Sequence, residues 1–200
     1  MTTSPPPPSP LDSVPARRNR RMLLAIFALF FGSMILAGIL RFSGWRPAGT
    51  RAHGELLEPP GDLRAVTPRL ANGELYRWNP ADRIWRIALA PPADCMDACV
   101  QLARQLDAVW KLMGQNADHV QVLWIGEPPP GVARGGALRI LQPSAELRAG
   151  FPRLQPVAGE NHAGIPVYVI DPNGFVMLRY APGFDPSGLR ADLAKLTRLL

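Results

Sequence analysis

The segment Met22–Leu40, "MLLAIFALFFGSMILAGIL", carries no charged residue over nineteen positions and constrains this chain more than any other stretch. At ~1.5 Å per residue, a helix of that length comes close to the ~30 Å hydrocarbon layer of a bilayer, so residues 22–40 are expected to form a transmembrane anchor. A signal peptide shares the order of basic and then apolar residues. Its apolar run is shorter than this one, however, and no A-x-A-like cleavage site follows cleanly, so the segment reads as a retained anchor. Ahead of it, "MTTSPPPPSPLDSVPARRNRR" is rich in Pro and Ser and cannot bury apolar surface, which points to a disordered tail over residues 1–21. Arg17, Arg18, Arg20 and Arg21 end that tail, and their pairing lacks the rest of a twin-arginine signal. Clustered arginines hold their side of an anchor in the cytoplasm. The expectation is a single pass through the inner (plasma) membrane, with the N-terminus cytoplasmic and the C-terminal domain periplasmic. Trp45 suits the membrane–water interface just beyond the anchor.

The net charge of +6 belongs mostly to this N-terminal region: residues 1–21 hold four Arg against Asp12, and Arg41 adds one more. What remains for residues 45–200 is a net +2, too little for a nucleic-acid footprint. No serine triad, phosphate loop or carboxylate pair is present, which leaves hydrolase and transferase classes without support.

Both cysteines of the chain fall in "PADCMDACVQLARQL", as Cys95 and Cys99. Disulfides persist in the periplasm. A bridge over so short an interval would close a tiny loop and restrain the unfolded chain little, so the pair reads as chemistry. A helix fits from about Asp94 to Met113, with Asp94 as N-cap and Gly114 as stop. Cys99, Leu102, Leu106, Val109 and Met113 step by three or four and mark one buried face. Cys95, one turn before Cys99, is expected in the first turn, where unpaired N–H groups and the macrodipole favour thiolate. An exposed thiolate backed by a more buried thiol can attack a disulfide or hold a soft metal such as Cu(I). Met96, adjacent to Cys95 on that helix, should point away from it.

Around this helix the chain reads as strands at 83–90, 119–126 and 136–143, and a short helix near "SAELRAGF". A hairpin over 165–183 turns at Asp171-Pro172-Asn173-Gly174, and Asp185 and Pro186 open a closing amphipathic helix. That order gives an α/β domain, a central sheet flanked by helices. Trp78, Trp85, Trp110 and Trp124 read as packing residues, and His53 and His119 as surface or capping residues.

The strand, "CMDAC", the strand "VQVLWI", and then a histidine followed by "YVIDPNG" resemble the Sco-type copper chaperones of cytochrome c oxidase assembly, over roughly residues 83–183. The resemblance implies a thioredoxin-like fold on one membrane anchor: a juxtamembrane linker at 41–75 and a thioredoxin-like domain at 76–200. It implies copper, as Cu(I) or Cu(II), held by Cys95, Cys99 and His162, and a respiratory oxidase subunit or another assembly factor as partner. The prolines usual after each cysteine are Met96 and Val100 here. "GIPVYVID" also resembles the stretch of thioredoxins where a cis-proline, here Pro166, faces the redox cysteines, although those enzymes use C-x-x-C. The function implied is copper handling or thiol maintenance by a metallochaperone. The alternatives are a thiol-disulfide oxidoreductase with Cys95 attacking and Cys99 resolving, and a non-catalytic assembly factor with a structural disulfide.

Overall fold

The computed structural model describes residues 14–43, 52–155, 159–160 and 164–199. The chain divides into two compact units, Met1–Gly49 and Thr50–Leu200. In the first, helix α1 (Val14–Phe42) contains the stretch Asn19–Phe42, which is long and apolar enough to cross a membrane. Its apolar side chains are exposed all round, as a span needs when lipid is its solvent. The helix begins upstream of the apolar run, so the four arginines lie within α1 rather than in the tail expected at 1–21. Arginine is a good helix former and gives the helix no reason to stop at the membrane edge. Trp45 and residues 1–13 lie outside the described residues.

The second unit is built on a six-stranded sheet in the order β1-β6-β5-β2-β3-β4. Its strands are β1 (Glu55–Asp62), β2 (Trp85–Leu89), β3 (Val120–Ile125), β4 (Leu138–Leu141), β5 (Val167–Ile170) and β6 (Phe175–Tyr180). β2, β3 and β4 run parallel, while β5 is antiparallel to β2, and β6 and β1 continue antiparallel beyond it. β1 lies inside the segment expected as linker. It is an edge strand whose pairing with β6 slips between Leu56 and Gly61, so Pro59 and Pro60 fall in the irregular part, where missing N–H donors are tolerated.

Successive side chains of each strand face opposite sides, and two cores result. On one side Ile87, Leu89, Val122 and Trp124 pack under α2 (Asp97–Lys111) and α4 (Pro186–Leu196). On the other, Ala88, Leu123, Ile125 and Tyr168 pack with Leu147 of α3 (Ala145–Ala149) and with Leu57 and Leu63. The stripe read for α2 is realised: Cys99, Leu102, Leu106 and Val109 are buried. The four tryptophans expected to pack all join these clusters, with Trp124 fully buried. The hairpin turn forms where expected, because Asp171 accepts from the amides of Gly174 (2.8 Å) and Phe175 (2.7 Å) and Gly174 takes a φ of 103°. Asp185 caps α4 by accepting from the Ser187 amide at 2.9 Å, with Pro186 at the first position.

Candidate functional site

β2 delivers the chain to the top of the sheet, where Pro91 and Pro92 prevent the helix from starting at once. The Cys95 amide closes a turn onto the Pro92 carbonyl at 3.2 Å. That turn occupies the residues that would have formed the first helical turn, so α2 begins at Asp97 with Met96 as its N-cap. Asp94 therefore does not cap the helix, and Cys95 stands just ahead of it instead of within its first turn. The positive end of the α2 macrodipole still faces that position, with Asp97 as the acidic residue of the first turn. Cys99 lies inside the first turn and is fully buried in the core under α2, whereas Cys95 is half-buried at its margin.

The two sulfurs are joined in a disulfide across a Cα–Cα separation of 5.6 Å. The pair is thus oxidised in this structure, and one of its sulfurs faces outward. Cys95 borders an open groove of about 400 Å³ whose walls include Pro92, Met96, Arg148, Ile165 and Pro166. The Ile165–Pro166 peptide is trans; the cis bond among the described residues is Glu58–Pro59. Pro166 therefore shares the groove with Cys95 as its resemblance implied, but not with the cis geometry. Trans is the ordinary state of an X–Pro bond, and here the chain passes straight into β5.

Met96 differs from its expectation. As N-cap its backbone is non-helical, at φ −105° and ψ −98°, and the residue borders the groove with Cys95. The helical rule that adjacent side chains diverge does not apply to it. His162 lies outside the described residues. Among the described residues no three His, Cys, Asp or Glu side chains gather to hold a metal ion. His53 and His119 play surface parts: His53 is half-exposed with Nδ1 3.2 Å from Asp192, and His119 ends a 3₁₀ turn before β3.

Two buried cations hold the sheet behind the site. Arg179 on β6, 1 % exposed, forms a bidentate pair with Glu160 at 2.6 and 2.7 Å, and its pKa is raised by that carboxylate. Arg86 on β2 donates to the carbonyls of Ile84, Asp171 and Pro172 and to Tyr76 Oη, which satisfies its guanidinium without a carboxylate among these contacts. Neither arginine, nor Arg148 in the groove, carries a sequence pattern that sets it apart from a solvent-facing charge.

Compared with known families, residues 85–199 match the model described as transmembrane-like, thioredoxin-like, C-terminal domain, which covers more than half of the chain. No curated protein matches the chain by sequence. Among solved structures, a SCO1/SenC family lipoprotein from Bacillus anthracis aligns at 18% identity and a TM-score of 0.50, covering 70% of this chain and 98% of its own. The copper-bound ScoI of Arabidopsis thaliana aligns at 18% identity and a TM-score of 0.47, with coverages of 74% and 100%. The bacterioferritin comigratory protein of Xanthomonas campestris aligns at 16% identity and a TM-score of 0.45, with coverages of 73% and 96%. At these identities the likeness is one of fold: a thioredoxin-like sheet with flanking helices.

Proposed function

The chain belongs to the transmembrane-like, thioredoxin-like C-terminal domain family, and we propose that it is a membrane-anchored protein that handles copper, or keeps thiols reduced, during assembly of the copper centres of a cytochrome c oxidase. One observation carries the reading. The only two cysteines of the chain meet at the start of α2, one sulfur on an open groove and the other buried beneath it. Once reduced, two thiolates on one side of a helix start are soft donors at a separation suited to Cu(I), here a cargo ion. The C-x-x-x-C spacing and the resemblance of the run from "CMDAC" to "YVIDPNG" to the Sco-type copper chaperones support copper over other soft ions. His162 is the third ligand in this proposal. That assignment rests on the resemblance to the Sco-type chaperones, which implies a histidine beside the two cysteines. The domain works in the periplasm, where the arginines of α1 direct it, on an oxidase subunit or a companion assembly factor.

A second reading rests on the disulfide itself. With the pair reduced, the Cys95 thiolate attacks one sulfur of a protein disulfide and expels the other as thiolate. Cys99 then attacks Cys95, expels the second substrate thiolate, and leaves the Cys95–Cys99 disulfide present in the structure. Two electrons pass to the substrate, and a dithiol reductant must return them for another cycle. A purely structural bridge is the weakest alternative, since a loop this short restrains the unfolded chain little.

Cu(I) titration against a competing chelator separates these readings in the reduced full-length protein in detergent. One Cu(I) per chain, lost in Cys95→Ser and in Cys99→Ser and weakened in His162→Ala, is the expected result. Absence of Cu(I) binding together with disulfide reduction of a protein substrate transfers the function to thiol exchange.

A further inference from the structure

We infer that Met96 supplies a third sulfur to a Cu(I) ion held by Cys95 and Cys99, an inference that rests on the copper reading above. Cys99 is fully buried beneath the helix start, so an ion held by the pair can take a further donor only from the groove side of Cys95. The described residues bordering the groove whose side chains carry a donor atom include Asp94 with a carboxylate, Gln155 with an amide and Met96 with a thioether. Carboxylate and amide oxygens are hard donors suited to Mg or Ca, whereas thiolates and thioethers select Cu(I).

The backbone makes the thioether available. Met96 is the N-cap, outside the helical φ/ψ range, and its side chain makes no capping hydrogen bond. The residue is 57% exposed, while the core of the domain is built from other residues. A single exposed apolar side chain is ordinary on a protein surface. What singles this one out is its place beside the outward cysteine. Methionine is unbranched with three rotatable bonds, so its sulfur can swing onto an ion at Cys95 without moving the backbone. Formation of the site needs the disulfide reduced, since sulfurs bonded to each other are not thiolate donors.

Met96→Leu tests this, because leucine keeps the apolar bulk at an exposed position and removes only the sulfur. In the reduced full-length protein in detergent, titrated with Cu(I) against a chelator, the variant should bind at least roughly tenfold more weakly than the parent, the lower end of what even indirect partners of a metal contribute. X-ray absorption at the copper edge should show one sulfur neighbour fewer than in the parent. Equal affinity and an equal sulfur count in a parent that binds Cu(I) would overturn the Met96 assignment and leave the copper reading standing. A parent that binds no Cu(I) overturns both. Loss of partner binding with unchanged Cu(I) affinity makes Met96 an apolar contact and overturns its role as ligand.

Discussion

Tyr180 donates its phenolic hydrogen to Asp192 at 2.8 Å, inside the domain and out of reach of water. The same carboxylate accepts from the backbone amides of His53 at 2.6 Å and Gly54 at 3.1 Å, so one buried charge ties β6, α4 and the segment entering the domain. The junction is tight: a Cβ on Gly54 would sit 2.6 Å from the Tyr180 ring. Asp192→Ala leaves a phenol and two amides without an acceptor and should cost about 2–4 kcal/mol, whereas Tyr180→Phe removes one donor and should cost about 1 kcal/mol. Urea unfolding of both variants checks the ranking.

The same group sets a response to acid. Burial disfavours the Asp192 charge, yet the donors from Gly54, Tyr180 and His53 outweigh it and hold the carboxyl below the usual aspartate range. A carboxyl depressed in the folded state binds fewer protons there than in the unfolded chain. Its stabilisation is therefore present above the unfolded aspartate pKa of about 3.9 and is lost as pH falls through the folded value. The urea midpoint of the parent should drop between pH 5 and pH 3 by more than that of Asp192→Asn; equal drops would place the acid sensitivity elsewhere.

Cys95 is half-buried at the groove and Cys99 fully buried in the core, which sets an order of reaction. After reduction, a pulse of iodoacetamide near neutral pH should label Cys95 several-fold faster, because Cys99 reacts only when the helix start opens. Peptide mass spectrometry reads both sites. Faster labelling of Cys99 would mean that it, and not Cys95, meets incoming substrate.

Periodicity makes α2, the hairpin and α4 legible in the residues alone, because each buries one face and writes that face into the chain at a fixed interval. β1 is hidden because its two prolines fall where the ladder is irregular, which breaks the alternation that marks a strand. Arg86 and Arg179 are hidden for another reason. Their burial depends on backbone carbonyls and on Glu160, partners that no local pattern announces. At the site, residue spacing places both cysteines on one helix start but does not reveal the Pro92–Cys95 turn. That turn moves the N-cap to Met96 and sets this residue on the groove wall, a consequence of backbone geometry that spacing does not carry.

The orientation of the anchor decides whether any of this chemistry is accessible. Arg17, Arg18, Arg20 and Arg21 precede the apolar run and Arg41, Arg46 and Arg51 follow it closely, so four face three, with the four packed into five positions, in setting the direction of insertion. The proposed topology, with Val14 cytoplasmic and the cysteine domain exported to the compartment where disulfides persist, rests on that bias. Alkaline phosphatase, which is active only after export, should be active when fused after Leu200, and a fluorescent reporter that matures only in the cytoplasm should be dark there. Replacing Arg17, Arg18, Arg20 and Arg21 with Gln should lower the first signal and raise the second. The reverse pattern in the parent would leave the pair in a reducing compartment and remove the periplasmic assembly of copper centres as its work.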